Sequence, residues 1–154
     1  MTVAGRPIDV LLVEDDPGDE LMTREAFADN KIGNTLHVAR DGEEALDFLY
    51  RRGNHADAPS PDLILLDLNI PKYDGRHVLA TIKSDADLAH IPVVVLTTSA
   101  AEEDILRSYK LHANAYVTKP VDLDQFMAAI KQIDDFFVQV VRLPGQPTIL
   151  GPAS

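Results

Sequence analysis

Three short runs of branched apolar residues dictate most of what this chain can become: Ile8 to Val13 (IDVLLV), Leu63 to Leu66 (LILL) and Ile91 to Leu96 (IPVVVL). None shows the strict apolar–polar alternation of a half-exposed strand. Each therefore reads as a strand covered on both faces, as happens inside a parallel sheet. Thr35 to Ala39 (TLHVA) and Ala115 to Thr118 (AYVT) are weaker strand candidates, suited to places nearer the edges.

Stretches with helical spacing lie between these runs. Asp16-Pro17 combines an N-cap with proline at the first helical position and leads into Leu21, Met22, Ala26 and Phe27. Asp41-Gly42-Glu43-Glu44 has the form of a capping box ahead of Ala45, Leu46, Leu49 and Tyr50. Gly53 is the expected stop, and Arg51-Arg52 offset the dipole of that helix. Val78, Leu79 and Ile82 predict a third helix, and Ile105, Leu106 and Tyr109 a fourth. A fifth begins at Asp122 and carries Leu123, Phe126, Met127, Ile130, Ile133, Phe137 and Val140. Asn54 to Pro61 (NHADAPSP) has the composition of a loop. Five βα units in a row predict an α/β fold, an open, doubly wound, five-stranded parallel sheet with right-handed crossovers and five helices on its two faces.

At 154 residues the chain fits one domain, with residues 8–142 forming the folded unit, 1–7 a short N-terminal extension and 143–154 an irregular tail. The absence of cysteine excludes disulfides, thiolate metal sites and a cysteine nucleophile. A formal net charge of −11, with Arg51-Arg52 as the longest basic run, would repel a phosphate backbone, so direct nucleic-acid binding is not expected. The N-terminus reaches three acids too soon for a signal peptide or a membrane span, which places the expected protein in the cytoplasm.

Open parallel sheets carry their sites beyond the carboxyl ends of the strands. Here the first strand ends in Glu14-Asp15-Asp16, the third in Asp67, the fourth in Thr97-Thr98 and the fifth in Lys119. Glu14, Asp15 and Asp67 would repel one another unless a hard cation bridged them, and oxygen ligands of this kind suit Mg²⁺. A dinucleotide fold would place a glycine-rich turn after the first strand; acids occupy that turn here, so a phosphate must arrive with a metal. A carboxylate can attack phosphorus and form an acyl phosphate, while Mg²⁺ and Lys119 would neutralise the equatorial oxygens of the transferring group. The Thr97 hydroxyl could bond a phosphoryl oxygen. Taken singly, Asp67 could be a strand-end cap, Thr97 a β-former, Tyr116 ordinary packing and Lys119 a surface residue. Asp16 reads as a helix cap, and the five scattered histidines as structural or solvated residues.

The strings LLVEDDP, LLDLNIPKYDG, VVVLTT and AYVTKP, in this order and spacing, resemble the receiver domains of response regulators from about Ile8 to about Ile133. The resemblance implies strand order 2-1-3-4-5 and Asp67 as phosphoacceptor. It also implies that Asp15 ligates Mg²⁺ directly, Glu14 through water and Asn69 through its backbone carbonyl. Thr97 would be the switch hydroxyl, Tyr116 the aromatic that moves with it, and Lys119, before a cis Pro120, the phosphate-binding cation. Three positions depart from the pattern: Glu14 stands where Asp is frequent, His112 where Gly commonly ends the fourth helix, and Thr98 beside Thr97 leaves open which hydroxyl serves. LTTS, LHANAY and FFVQVVRLPG resemble the subgroup that partners cyanobacterial and bacterial phytochromes.

The function so implied is a stand-alone phosphoacceptor switch, phosphorylated by a sensor histidine kinase and signalling by conformational change, relay or dimer and partner binding, rather than an enzyme. An aspartyl phosphatase would need a second Asp where Asn69 stands, and a pseudo-receiver would not keep Glu14, Asp15, Asp67, Thr97 and Lys119 together. Phe136, Phe137, Val138, Val140 and Val141 are too many for one narrow stripe. Either the last turn folds back over the second helix, or these residues form a two-fold homodimer patch, which is the reading adopted.

Overall fold

The computed structural model describes residues 8–29, 34–68, 70, 75–97, 113, 115–119, 124, 125 and 128. Strands β1 (Ile8–Val13), β2 (Asn34–Ala39), β3 (Leu63–Asp67), β4 (Val93–Thr97) and β5 (Ala115–Thr118) form one parallel sheet in the order β2-β1-β3-β4-β5. The two weaker strand candidates, β2 and β5, are the edges. Helices α1 (Pro17–Asp29), α2 (Gly42–Tyr50) and α3 (Gly75–Ser84) and a short 3-10 turn at Gly53–His55 complete the regular elements that the structure describes in full. Asp124, Gln125 and Ala128 are helical, as the expected fifth helix requires, and Gln125 Oε1 accepts the Thr118 N–H at 3.2 Å. The expected fourth helix, the distal fifth helix with Phe137, and Asn69, Thr98, His112 and Pro120 lie outside the described residues.

Alternate residues of the buried strands feed two separate cores. Ile8, Val10, Leu12, Leu63, Leu65, Val94, Leu96, Ala115 and Val117 pack with Phe27 of α1. Leu11, Val13, Ile64, Leu66, Val93 and Val95 pack on the other face with Leu46, Phe48 and Leu49 of α2 and Val78, Leu79 and Ile82 of α3. Every residue of β3 and β4 is buried, which is why those runs read as continuously apolar. At roughly 1.5–3 kcal/mol for each fully buried Leu, Ile or Val, these two layers dominate the stabilisation of the sheet.

Three local expectations are corrected. First, Leu21 is 56% exposed, and Thr23 is buried in α1 instead, its hydroxyl donating to the Asp19 carbonyl at 3.0 Å. Second, β4 starts at Val93 rather than Ile91, because Pro92 has no N–H for the ladder; its carbonyl still accepts from Ile64 N at 2.9 Å. Third, α2 stops at Arg51 rather than at Gly53. Asp41 caps its start, accepting the Glu44 N–H at 2.7 Å, and Glu44 reaches back to the Arg40 N–H at 2.9 Å. At its end Arg51 takes a left-handed φ of 56°, with Arg51 N–H on Phe48 O and Arg52 N–H on Asp47 O. A non-glycine residue there costs about 1–2 kcal/mol. The neighbouring Arg52 offsets part of it by pairing with Asp47 at 3.2 Å and lying over the Tyr50 ring.

Candidate functional site

Strand alternation assembles the site before any long-range force acts. Glu14 continues the sequence of Ile8, Val10 and Leu12; Asp67 that of Leu63 and Leu65; Lys119 that of Ala115 and Val117. All three follow the face that α1 covers, at the carboxyl ends of β1, β3 and β5; β1 and β3 are adjacent, and β4 lies between β3 and β5. Their side chains meet: Lys119 Nζ lies 2.9 Å from Asp67 Oδ2 and 3.3 Å from Glu14 Oε1. The Lys119 backbone is fixed by its own N–H on the Thr97 carbonyl at 2.7 Å.

Glu14, Asp15 and Asp67 offer oxygens that all lie within 4.8 Å of one another. Glu14 and Asp67 are buried, while Asp15 is exposed at the mouth. Glu14 Oε2 accepts the Asp16 N–H at 3.2 Å, while Oε1, sealed from solvent, makes no aligned hydrogen bond and among the described residues has only the Lys119 ammonium 3.3 Å away. A buried carboxylate oxygen so incompletely satisfied, beside two further carboxylates, fits a hard divalent cation. No histidine belongs to such a cluster among the described residues.

Burial, and then the Asp67 carboxylate beside it, push the Glu14 carboxyl up from 4.5 to about 8 against the opposing pull of Lys119. Burial by itself would depress the Lys119 ammonium, but Asp19, Asp67 and Glu14 outweigh it and hold it above the usual lysine range. A carboxyl whose folded pKa is raised binds its proton more tightly in the folded state. Stability of the metal-free protein should thus fall as pH rises from about 4.5 to about 8. With metal chelated, Glu14→Gln should be more stable than wild type by about 1–3 kcal/mol at pH 8, the gap closing toward pH 5. Thermal melts across that range check this, and a gap independent of pH would count against the electrostatic account.

The remaining expected residues sit differently. Asp16 is the α1 cap, accepting Gly18 N–H at 2.7 Å and Asp19 N–H at 3.4 Å. Thr97 is buried at the end of β4 and follows the alternation of Val93 and Val95, toward the face of α2 and α3. Tyr116 packs against that same layer, its hydroxyl accepting the Ala113 N–H at 3.3 Å.

Two residues were not singled out from the sequence. Asp19, in the first turn of α1, pairs with Lys119 Nζ at 2.8 Å. An acid there is ordinary complement to a helix dipole, so nothing in the sequence flagged it. Gly75 opens α3 directly against the end of β3, donating to Leu68 O at 3.0 Å. A Cβ at Gly75 would meet Leu68 Cα at 2.5 Å and Asp67 O at 2.7 Å. Its place at the end of LLDLNIPKYDG was the available signal.

The family model for the response regulator receiver domain matches residues 10–131. The response regulator Rcp1 of Synechocystis sp. is 46% identical over 135 residues, 88% of this chain and 92% of the relative. A Mn(2+)-bound form of a response regulator Rcp1 is similar with a TM-score of 0.71 at 45% identity, over 90% of this chain and 100% of that one. The bacteriophytochrome response regulator RtBRR is similar with a TM-score of 0.81 at 42% identity, over 92% of this chain and 87% of that one. The phosphorylated cyanobacterial phytochrome response regulator RcpA gives 0.72 at 46% identity, over 91% of this chain and 100% of that one.

Proposed function

Since the chain belongs to the response regulator receiver domain family, a family of phosphoacceptor signalling proteins rather than enzymes in the usual sense, we propose that it takes a phosphoryl group on Asp67 from a sensor histidine kinase. The observation that carries this reading is the convergence of Asp67, Glu14, Asp15 and Lys119 within one contact network at the end of β3. Asp67 and Glu14 are the two buried members and both meet the ammonium; Asp67, at the end of β3, is the nearer to it at 2.9 Å against 3.3 Å.

In the proposed step, a carboxylate oxygen of Asp67 forms a bond to phosphorus as the bond to the donor's imidazole nitrogen breaks. The donor ring, protonated on its other nitrogen, takes the bonding pair and leaves as neutral imidazole, and an acyl phosphate remains. Lys119 pairs with the equatorial oxygens of the transferring group. A divalent cation, Mg²⁺ in the cell, held by Glu14, Asp15, Asp67 and the Asn69 carbonyl, would supply the remaining charge neutralisation. A Mn(2+)-bound relative and the buried, incompletely satisfied Glu14 oxygen support this donor set. Thr97 and Tyr116 are the proposed switch pair, and their place toward α2 and α3 suits a response carried to that face.

Likeness to RtBRR and RcpA supports a phytochrome as the kinase. The apolar residues Phe136, Phe137, Val138, Val140 and Val141 support a homodimer through the distal fifth helix. No helix among the described residues is long and apolar enough to cross a membrane.

Incubation with acetyl phosphate and Mg²⁺ should add one phosphoryl group per chain by intact mass, lost on brief exposure to base. The same incubation in excess EDTA should add none. Uptake that is unaffected by EDTA, or stable to base, would defeat the proposal.

A further inference from the structure

Two of the three carboxylates suited to a divalent cation already hold an ammonium. Lys119 Nζ sits against Asp67 at 2.9 Å and Glu14 at 3.3 Å, and both belong to the cluster with Asp15. An ammonium and a divalent cation repel each other at such range, most strongly where water is excluded. Lys119 must therefore yield these side chains when a cation arrives, yet remain near enough to meet a phosphoryl group afterwards.

Among the described residues one other acid meets it. Asp19 Oδ2 is 2.8 Å from Lys119 Nζ, the shortest of the three ion pairs that Lys119 makes among those residues, and Asp19 is not part of the three-carboxylate cluster. The Asp19 backbone is firmly set, with its N–H on the Asp16 cap and its carbonyl on the hydroxyl of buried Thr23. Its side chain is 22% exposed against 2% for Asp67, so this anchor stands on the solvent side of the lysine.

Resting on the metal-assisted reading above, we propose that Asp19 is a positioning residue for phosphoryl transfer. It retains the Lys119 ammonium at the mouth of the site once Lys119 gives up Glu14 and Asp67 to the cation. Asp19 touches neither the cation nor the phosphoryl group; it acts through Lys119. Without it, the ammonium keeps only Asp67 and Glu14 among the described residues and competes harder for them. After cation binding, the lysine is no longer held in reach of the transferring group.

The test is a double-mutant cycle on the full chain with Mn²⁺ as the probe, its free concentration read from the resonance of the aqua ion. Asp19→Asn should weaken Mn²⁺ binding roughly three- to tenfold, the scale of one partly buried charged contact. In a Lys119→Met background the same substitution should change affinity by less than about twofold. Phosphorylation by acetyl phosphate at saturating Mn²⁺ should also be slower in Asp19→Asn than in wild type. An equal loss of affinity in both backgrounds would make Asp19 a ligand or a remote charge and overturn the inference, as would an Asp19→Asn protein with wild-type affinity. A wild type that takes up no Mn²⁺ overturns the metal-site reading itself, a separate outcome.

Discussion

Asp67→Asn should take up no phosphoryl group from acetyl phosphate and Mg²⁺, where the wild type takes up one per chain. An amide oxygen carries too little charge to displace a leaving group from phosphorus, so the loss is complete rather than graded. The substitution is close to isosteric at a position 1% exposed, so packing of β3 is retained. Electrostatically it removes a charge that crowds Glu14, so the Glu14 carboxyl should fall below about 8 while burial, the larger cause, still holds it above the ordinary range. It also removes one partner of Lys119, which keeps Asp19 and Glu14. The variant should therefore fold and still present two carboxylates to a cation. Intact mass gives the phosphorylation result, and circular-dichroism melts establish that the protein is folded. Undiminished labelling in the folded variant would move the acceptor to another carboxylate.

Gly75→Ala should be the most damaging single methyl group near the site. The added Cβ would lie 2.5 Å from Leu68 Cα, 2.7 Å from Asp67 O and 3.0 Å from Leu68 O. All three are backbone atoms, so no side chain can rotate aside. Either α3 withdraws from the end of β3 or the β3 terminus shifts. Withdrawal disturbs the layer that Val78, Leu79 and Ile82 fill. A cost of about 3 kcal/mol is expected, at the upper end for overpacking. Because Asp67 lies at that contact, phosphorylation should slow in the fraction that folds. Urea melts give the stability change; a difference below about 0.5 kcal/mol, the size of an ordinary surface substitution, would show that the helix yields easily.

The sheet and the centre of the site were legible in the sequence for one reason. Strands buried on both faces need uninterrupted apolar residues, so the first polar residue after each run marks where the core stops. Glu14, Asp67 and Lys119 stand at or just beyond such ends, and the structure brings them together. Strand order came only by analogy, because apolar runs carry no mark of their neighbours. The inward residues of α1 were misjudged at Leu21 because apolar character outweighed spacing, and a threonine with its hydroxyl satisfied can be buried in its place. The end of α2 was misplaced because glycine is the ordinary residue for a left-handed turn after a helix; here Arg51 and Gly53 both take positive φ, and the helix already ends at the first of them. Asp19 was invisible because its partner is 100 residues away in the chain.

The two-sided layering of the strands also determines which errors of length the gene can survive. Removing one residue inside β3 would turn Asp67 to the opposite face from Glu14 and Lys119, while leaving a run of leucines that could still find a core. Removing two would restore the face but draw the carboxylate back by about 6.6 Å, beyond the ammonium's reach. The apolar residues of β1, β3 and β5 thus serve as a ruler as well as a core. A frame-preserving deletion there would move the carboxylate out of the site, whereas the same deletion within residues 56–61, between the short 3-10 turn at Gly53–His55 and β3, would disturb the packing of Ala58 or Pro61 but leave the spacing of Asp67 within its strand unchanged.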